Sequence, residues 1–193
     1  MVQLVTKASR EKVERKFKQS YELIISLKDI DVKKKELNIN ETVYIPNKMS
    51  SQLKICVLAS GDLAVRARRS AAERILEPNE LDALATDKRS AKKLANTYSF
   101  FLAETSLMPK IGRILGPYLG PRGRMPTPLL PNAPVEQMIE RLKSAVRVRC
   151  RNQLNVACKV GDEGMLEQQV AENAMAVIAA VETKLPLGSK NIR

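Results

Sequence analysis

Residues 107–131, LMPKIGRILGPYLGPRGRMPTPLLP, constrain this chain more than any other stretch. They hold four of its eight glycines (Gly112, Gly116, Gly120, Gly123) and six of its ten prolines. Leu-Gly-Pro occurs twice, at 115–117 and 119–121, and runs into Arg122-Gly123-Arg124-Met125-Pro126. Neither a long helix nor a central strand tolerates that density of proline and glycine. A disordered linker does not carry so many large apolar residues. The reading left is an ordered basic loop of unusual shape, with a short helical piece near Pro109–Leu115. Loops of this kind carry function more often than regular elements do.

The chain on either side has two textures. Residues 1–18 are helix-like and basic, and Ser9 is placed to cap a helix that includes Val13 and Phe17. In 20–28, SYELIISLK, Tyr21, Leu23, Ile25 and Leu27 alternate with Glu22, Ser26 and Lys28, which predicts a half-buried strand with Ile24 as its exception. Asp29–Asn40 is charged and turn-rich. Thr42–Ile45 then reads as the antiparallel partner of the first strand.

After Pro46 the pattern becomes α/β. Leu53–Ala59 is a nearly continuous apolar strand, of the kind buried on both faces. A helix follows over 64–71, then a short strand at 74–76, helices over 80–85 and 88–96, and a buried strand over 99–103. That alternation predicts a small parallel sheet covered by helices. After Pro134 the first texture returns. Val135, Met138, Ile139, Leu142 and Ala145 mark a helix stripe. Strands follow at 146–151 and 154–160. Val170, Ala174, Val177, Ile178, Val181 and Leu185 stripe a long last helix, closed by Pro186 and Gly188. The fold class expected is α/β in two domains. One is a split, sandwich-like α+β domain (1–47 with 131–193), and the other is an inserted Rossmann-like parallel α/β domain (48–130). Two chain crossings between them would act as a hinge.

Charge points to the partner. The sequence has 33 Lys and Arg against 21 Asp and Glu, a net charge of +12, and such a surplus favours nucleic acid. Three Phe, four Tyr and no Trp are too few for single-strand binding on stacked aromatics. Contact with the backbone and shape of folded RNA or duplex fits better. There is no histidine, so Ser-His-Asp and Cys-His catalysis are excluded. Cys56, Cys150 and Cys158 are far apart with no CxxC pair, which speaks against structural zinc and for a reducing compartment, most simply the cytoplasm. No P-loop or GxGxxG is present. No metal or cofactor is expected, and no membrane segment is evident.

The sharpest local signal is Val146-Arg147-Val148-Arg149-Cys150-Arg151. Side chains alternate along a strand, so Arg147, Arg149 and Arg151 share one face at intervals of about 6.5–7 Å. Arg grips phosphate bidentately, and like charges in a row repel unless neutralised. The row therefore predicts an anion-binding surface rather than a solvated polar face. Asn152 and Gln153 extend it. A weaker patch is Arg15-Lys16-Phe17-Lys18. Lys33–Lys35, Arg66–Arg69 and Lys88–Lys93 read as solvated faces or peripheral phosphate contacts.

These residues together resemble the large-subunit ribosomal protein L-one family, archaeal and eukaryotic branch, which forms the mobile stalk beside the tRNA exit site. The resemblance rests on 17–34, 60–68, 87–104, 108–126, 146–153 and 191–193, nearly the whole chain. It implies a non-enzymatic, monomeric constituent of the large subunit that binds stalk rRNA through the split domain. It further implies help in releasing deacylated exit-site tRNA, and repression of translation of its own mRNA. By motif match it implies RNA contact for Lys16, Phe17, Ser20 and Glu22. Gly120, Pro121, Arg122, Gly123 and Arg124 become a secondary contact or hinge loop. Family members continue after Asn-Ile-Arg with a strand carrying a Thr-Thr-Met-Gly contact, whereas this sequence stops at Arg193; a missing strand would leave a sheet edge exposed. The alternative from another class is a small α/β enzyme with a nucleotide site in the central domain.

Overall fold

A computed structural model describes every residue except 14, 31–37, 50–52, 71 and 152. In chain order the elements are α1 (Val2–Arg10), β1 (Ser20–Ser26), β2 (Asn38–Tyr44), β3 (Ile55–Leu58), α2 (Gly61–Arg69), β4 (Arg74–Leu76), α3 (Pro78–Thr86), α4 (Lys88–Thr97) and β5 (Phe100–Glu104). Then come α5 (Met108–Ile114), α6 (Gly116–Leu119), β6 (Thr127–Leu129), α7 (Val135–Lys143), β7 (Ala145–Arg151), β8 (Asn155–Asp162) and α8 (Glu167–Glu182). They fall into two compact units: Met1–Gln52 with Ser144–Arg193, and Leu53–Lys143. The second unit includes α7, which packs on α2; the sequence reading assigns 131–143 to the split domain.

The split unit is one antiparallel sheet in the order β1-β8-β7-β2, with α8 laid on it and α1 on α8. The partner expected for β1 is therefore wrong. β1 pairs with β8 and β2 with β7, so β1 and β2 are the two edges. The physical reason is loop length. β7 and β8 are joined by three residues and take the centre, whereas β1 and β2 are separated by an excursion of eleven that costs more entropy to close. β2 also begins at Asn38 rather than Thr42.

The first helix is shorter than its pattern suggests. It ends at Arg10, so Ser9 lies inside it and caps nothing. Val13 and Phe17 have helical spacing but stand 69% and 63% exposed, so no burial rewards further helix. Glu163, in the turn after β8, holds this segment instead. It ion-pairs with Lys12, its Oε2 accepts from the Gln19 N–H at 3.2 Å, and its own N–H donates to the Gln19 carbonyl at 2.9 Å.

Under the sheet the core comprises Ile25, Ile39, Val43, Val146, Val148, Cys150, Val156 and Val160 with Val170, Ala174, Val177 and Val181 of α8. Asn173 is fully buried among them. Its amide donates to the carbonyls of Asn47 and Val160, both at 2.9 Å, and accepts from the Asn47 N–H at 3.0 Å. The polar group is thus satisfied, and it ties the exit of β2 to the last helix. At the other edge Ile192 bridges Leu27, and the Arg193 N–H donates to the Ser26 carbonyl at 2.9 Å.

The inserted unit is a parallel sheet in the order β4-β3-β5-β6. β3 and β5 are buried on both faces, as a continuous apolar run requires. Here the Pro/Gly stretch is far more regular than a loop. Pro109 and Pro117 sit in the first turns of α5 and α6, where a missing N–H leaves no bond unmade. Ile111, Leu115 and Leu119, four residues apart, are each at most 1% exposed. They close the core over Cys56, Leu58, Phe101 and Leu94. Pro128 lies in β6, the edge strand, the place in a sheet where proline is tolerated.

Candidate nucleic-acid interface

α8 covers only one face of the split unit's sheet. The other face carries the basic row. Along β7, Val146, Val148 and Cys150 are buried, Arg147 and Arg149 half-buried, and Arg151 exposed. The alternation read from the sequence holds at every position. Register gives the three arginines their neighbours: Thr42 beside Arg147, Asn40 beside Arg149, and Asn38 beside Arg151. On its other side Arg149 aligns with Ala157, and Ala157 with Ile24. One row across the sheet therefore reads Asn40, Arg149, Ala157, Ile24. Glu22 lies opposite Lys159, and Ser26 opposite Asn155.

Among the described residues Arg149 and Arg151 take no ion pair or side-chain hydrogen bond. Two neighbouring guanidinium groups on a strand, without a counter-charge, leave a strong donor surface for phosphate oxygens. Around them, Asn38, Asn40 and Asn155 add amides, and Ile24 adds an apolar contact, 64% exposed.

The second predicted patch leads into β1. Phe17 projects into solvent with the Arg15 guanidinium 6.0 Å from its ring centre; Lys16 beside it is exposed. Ser20 and Glu22 are exposed at the start of β1, on either side of a bulge between Tyr21 and Glu22. With Lys12, Gln19, Tyr21 and Glu163 they line a cleft of about 250 Å³. The Lys12 ammonium, then the Gln19 amide, hold the Glu163 carboxyl below the ordinary carboxylate value, so it is a fixed anion at that cleft. Gln153 is exposed, and its side-chain amide donates to the Asn155 carbonyl at 2.9 Å. Asn152 and Lys33–Lys35 lie outside the described residues.

Sequence reasoning missed Asn38, Asn40, Thr42, Ile24 and Lys159 as members of this face. A signal existed for β2, where Asn38, Asn40 and Thr42 alternate with Ile39 and Val43. For Ile24 it was the break in the polar set of β1.

The arginines of the Pro/Gly stretch are placed differently. Arg124 Nη1 donates to three carbonyls at the end of α4: Ala95 at 2.8 Å, Asn96 at 3.4 Å and Tyr98 at 3.1 Å. Burial, then the charge of Arg122, lower its pKa. Arg122 donates to the Tyr118 carbonyl at 2.9 Å in the last turn of α6. Both cap helix ends, where unsatisfied carbonyls and the dipole favour a cation. Gly123 takes a left-handed φ of 64°. At Gly120 a Cβ would lie 2.9 Å from the Gly116 carbonyl oxygen, too close for any side chain. Pro121 starts this turn. Thus the stretch fastens α6 to α4 within the inserted unit.

With this geometry in place, comparison with known proteins is direct. The chain matches the family described as "Ribosomal protein L1p/L10e family" over residues 6–193. It is 51% identical to the large ribosomal subunit protein uL1 of Cenarchaeum symbiosum, over 97% of this chain and 86% of that one. It is 44% identical to the uL1 of Thermofilum pendens, over 89% and 77%, and 40% identical to the uL1 of Methanocella arvoryzae, over 99% and 90%. The chain belongs to the ribosomal protein L1p/L10e family. The three relatives come from archaea, in line with the branch the motifs resemble.

Family membership makes this a structural, non-enzymatic protein, and the nucleotide-enzyme alternative falls away. The inserted unit offers a physical reason too. In an open parallel sheet a ligand binds beyond the carboxyl ends of the strands where their order reverses, which here is between β3 and β5. Glu104 closes β5 and reaches into that position. Its carboxylate accepts from the Ser60 N–H at 2.9 Å and the Ser60 hydroxyl at 2.7 Å, just ahead of the N-terminus of α2. An internal carboxylate thus sits where a phosphate would have to bind. The bonds from Ser106 and then Ser60 lower its pKa, so it stays ionised. The three cysteines are buried. Burial raises the thiol of Cys56 to about 12 and that of Cys158 to about 11, and raises Cys150 as well. They are protonated and inert at neutral pH. Among the described residues no helix is long and apolar enough to cross a membrane.

Proposed function

We propose that this protein binds large-subunit rRNA at the mobile stalk through the uncovered face of the split unit. Arg147, Arg149 and Arg151 hold phosphates, and Lys16, Phe17, Ser20 and Glu22 fix orientation at the end of β1. The observation that carries this reading is the pair Arg149 and Arg151, without counter-charge among the described residues, on a sheet face that no described helix of the split unit covers. Phosphate contacts supply affinity and register, whereas polar and apolar neighbours read shape. As part of that stalk, in the cytoplasm, the protein assists departure of deacylated tRNA from the exit site. The same face, offered a similar fold in its own mRNA, represses translation. The two chain crossings, at 52/53 and 143/144, are the positions we assign to a hinge.

The test is binding of the full chain to an rRNA stalk fragment. Arg149→Ala and Phe17→Ala each weaken binding by about tenfold or more, as loss of a charge-assisted contact or a stacked ring does. Lys184→Ala, whose ammonium is engaged by Glu41 at 2.8 Å, changes affinity less than about twofold. Equal losses for all three would remove the site assignment.

A further inference from the structure

The positive surplus is not confined to the split unit. Residues 53–143 hold 15 Lys and Arg against 9 Asp and Glu, and the remainder holds 18 against 12. Each unit therefore carries half of the net charge, yet the face described above uses only one of them.

Within the inserted unit several of the acids are occupied. Asp82 pairs with Lys110, Glu77 with Arg68 and Glu104 with Ser60. Asp87 caps α4, accepting from the N–H groups of Arg89 at 2.9 Å and Ser90 at 3.0 Å. Several basic groups are held internally as well, namely Arg66, Arg122 and Arg124. What remains is concentrated on α4. Ala91, Leu94 and Ala95 are buried, whereas Lys88, Arg89, Lys92 and Lys93 are exposed. At 100° per residue the four cations span about 140° of the helix, with Asn96 at the middle of that arc and the buried residues opposite.

The helix contains no acid. Among the described residues none of the four cations has a side-chain partner, though Lys93 shares a cleft with Glu80 and Arg74. Lys88 with Lys92, and Arg89 with Lys93, are like charges four residues apart, an arrangement that destabilises a helix. The N-cap Asp87, whose carboxyl feels the charge of Arg89 and lines the same cleft as Lys93, offsets part of it. A flat basic arc with one amide and no aromatic ring is suited to the phosphate backbone of a duplex, not to stacked bases or a phosphorylated side chain.

We infer that the outer face of α4 is a second polyanion site, which takes the backbone of helical RNA without reading its sequence. It shares with the proposed function only the class of partner, and it is separately testable. The probe is a 20-base-pair RNA duplex of arbitrary sequence, with the full-length chain. The variant Lys88→Ala/Arg89→Ala/Lys92→Ala/Lys93→Ala exchanges exposed residues for the best helix former, and circular dichroism checks its fold. Its log affinity against log salt is expected to lose about two to four units of slope, roughly one per phosphate contact. Arg149→Ala/Arg151→Ala should keep most of its duplex affinity while losing the stalk fragment. Independently, acylation of Lys88, Lys92 and Lys93 read by mass spectrometry should slow several-fold when duplex is added. An unchanged slope in the α4 variant would overturn the inference, as would unprotected α4 lysines in the duplex-bound protein. Stalk-fragment binding left unaffected by Arg149→Ala/Arg151→Ala would instead overturn the proposed function and leave the α4 site standing.

Discussion

The arginines of β7 and those of the Pro/Gly stretch look alike in sequence and differ in what surrounds them. Arg149 and Arg151 stand on a strand between β2 and β8, and among the described residues neither guanidinium has a side-chain hydrogen bond or ion pair. Arg122 and Arg124 lie beside two helix ends with unpaired carbonyls, and both are engaged there. Charge density along a chain therefore does not locate a binding surface. Local backbone acceptors decide whether an arginine serves the fold or a ligand.

Breaking the fold-serving side should have the largest effect. Leu119→Ala, at a fully buried position, is expected to lower stability by about 2–5 kcal/mol, the range for buried leucines. Urea unfolding of the full chain checks this, and a loss near zero would return the stretch to a surface loop. Arg124→Ala orphans carbonyls at the end of α4 and should cost about 1–3 kcal/mol, while affinity for the stalk fragment, measured where the variant is folded, stays within about twofold. A weakened complex at unchanged stability would make Arg124 a ligand contact and erase the contrast with β7.

The split unit offers a matched test. Asn173→Ala leaves the Asn47 N–H and two carbonyls without their partner and is expected to cost about 1–3 kcal/mol.

The smallest effect concerns acid. The folded pKa of Glu104 lies below its ordinary 4.5. Its contribution is therefore present above that value and lost as pH falls through the lower folded value. Between pH 7 and pH 3 the wild type should lose more stability than Glu104→Gln, seen as a larger drop in urea midpoint. Parallel losses would mean that Glu104 does not hold Ser60 in solution.

Much of this was legible because it is local. VRVRCR forces alternation, and residues 146–151 of β7 obey it throughout. The runs at 55–58 and 100–103 are uniformly apolar, as strands buried on both faces are. What escaped was set at a distance. The stripe Ile111, Leu115, Leu119 was hidden because glycine and proline punctuate it, yet the prolines fall in first turns. The acceptors of Arg124 lie 26 to 29 residues away, beyond any local pattern. The pairing of β1 with β8 joins residues about 130 to 140 apart in sequence, and the nearer β-prone segment is a natural but mistaken choice. At α1, helical spacing of Val13 and Phe17 gave way to the hold of Glu163 on Lys12 and Gln19.

The central claim is that the RNA grip belongs to the uncovered sheet face and not to the Pro/Gly stretch. Its most direct test is the salt dependence of binding to the stalk fragment for the wild type, Arg149→Ala/Arg151→Ala and Arg122→Ala/Arg124→Ala. The first pair should reduce the slope of log affinity against log salt by about two, one unit per phosphate contact removed, and the second pair should leave it unchanged. A slope that falls for the second pair and holds for the first would contradict the account.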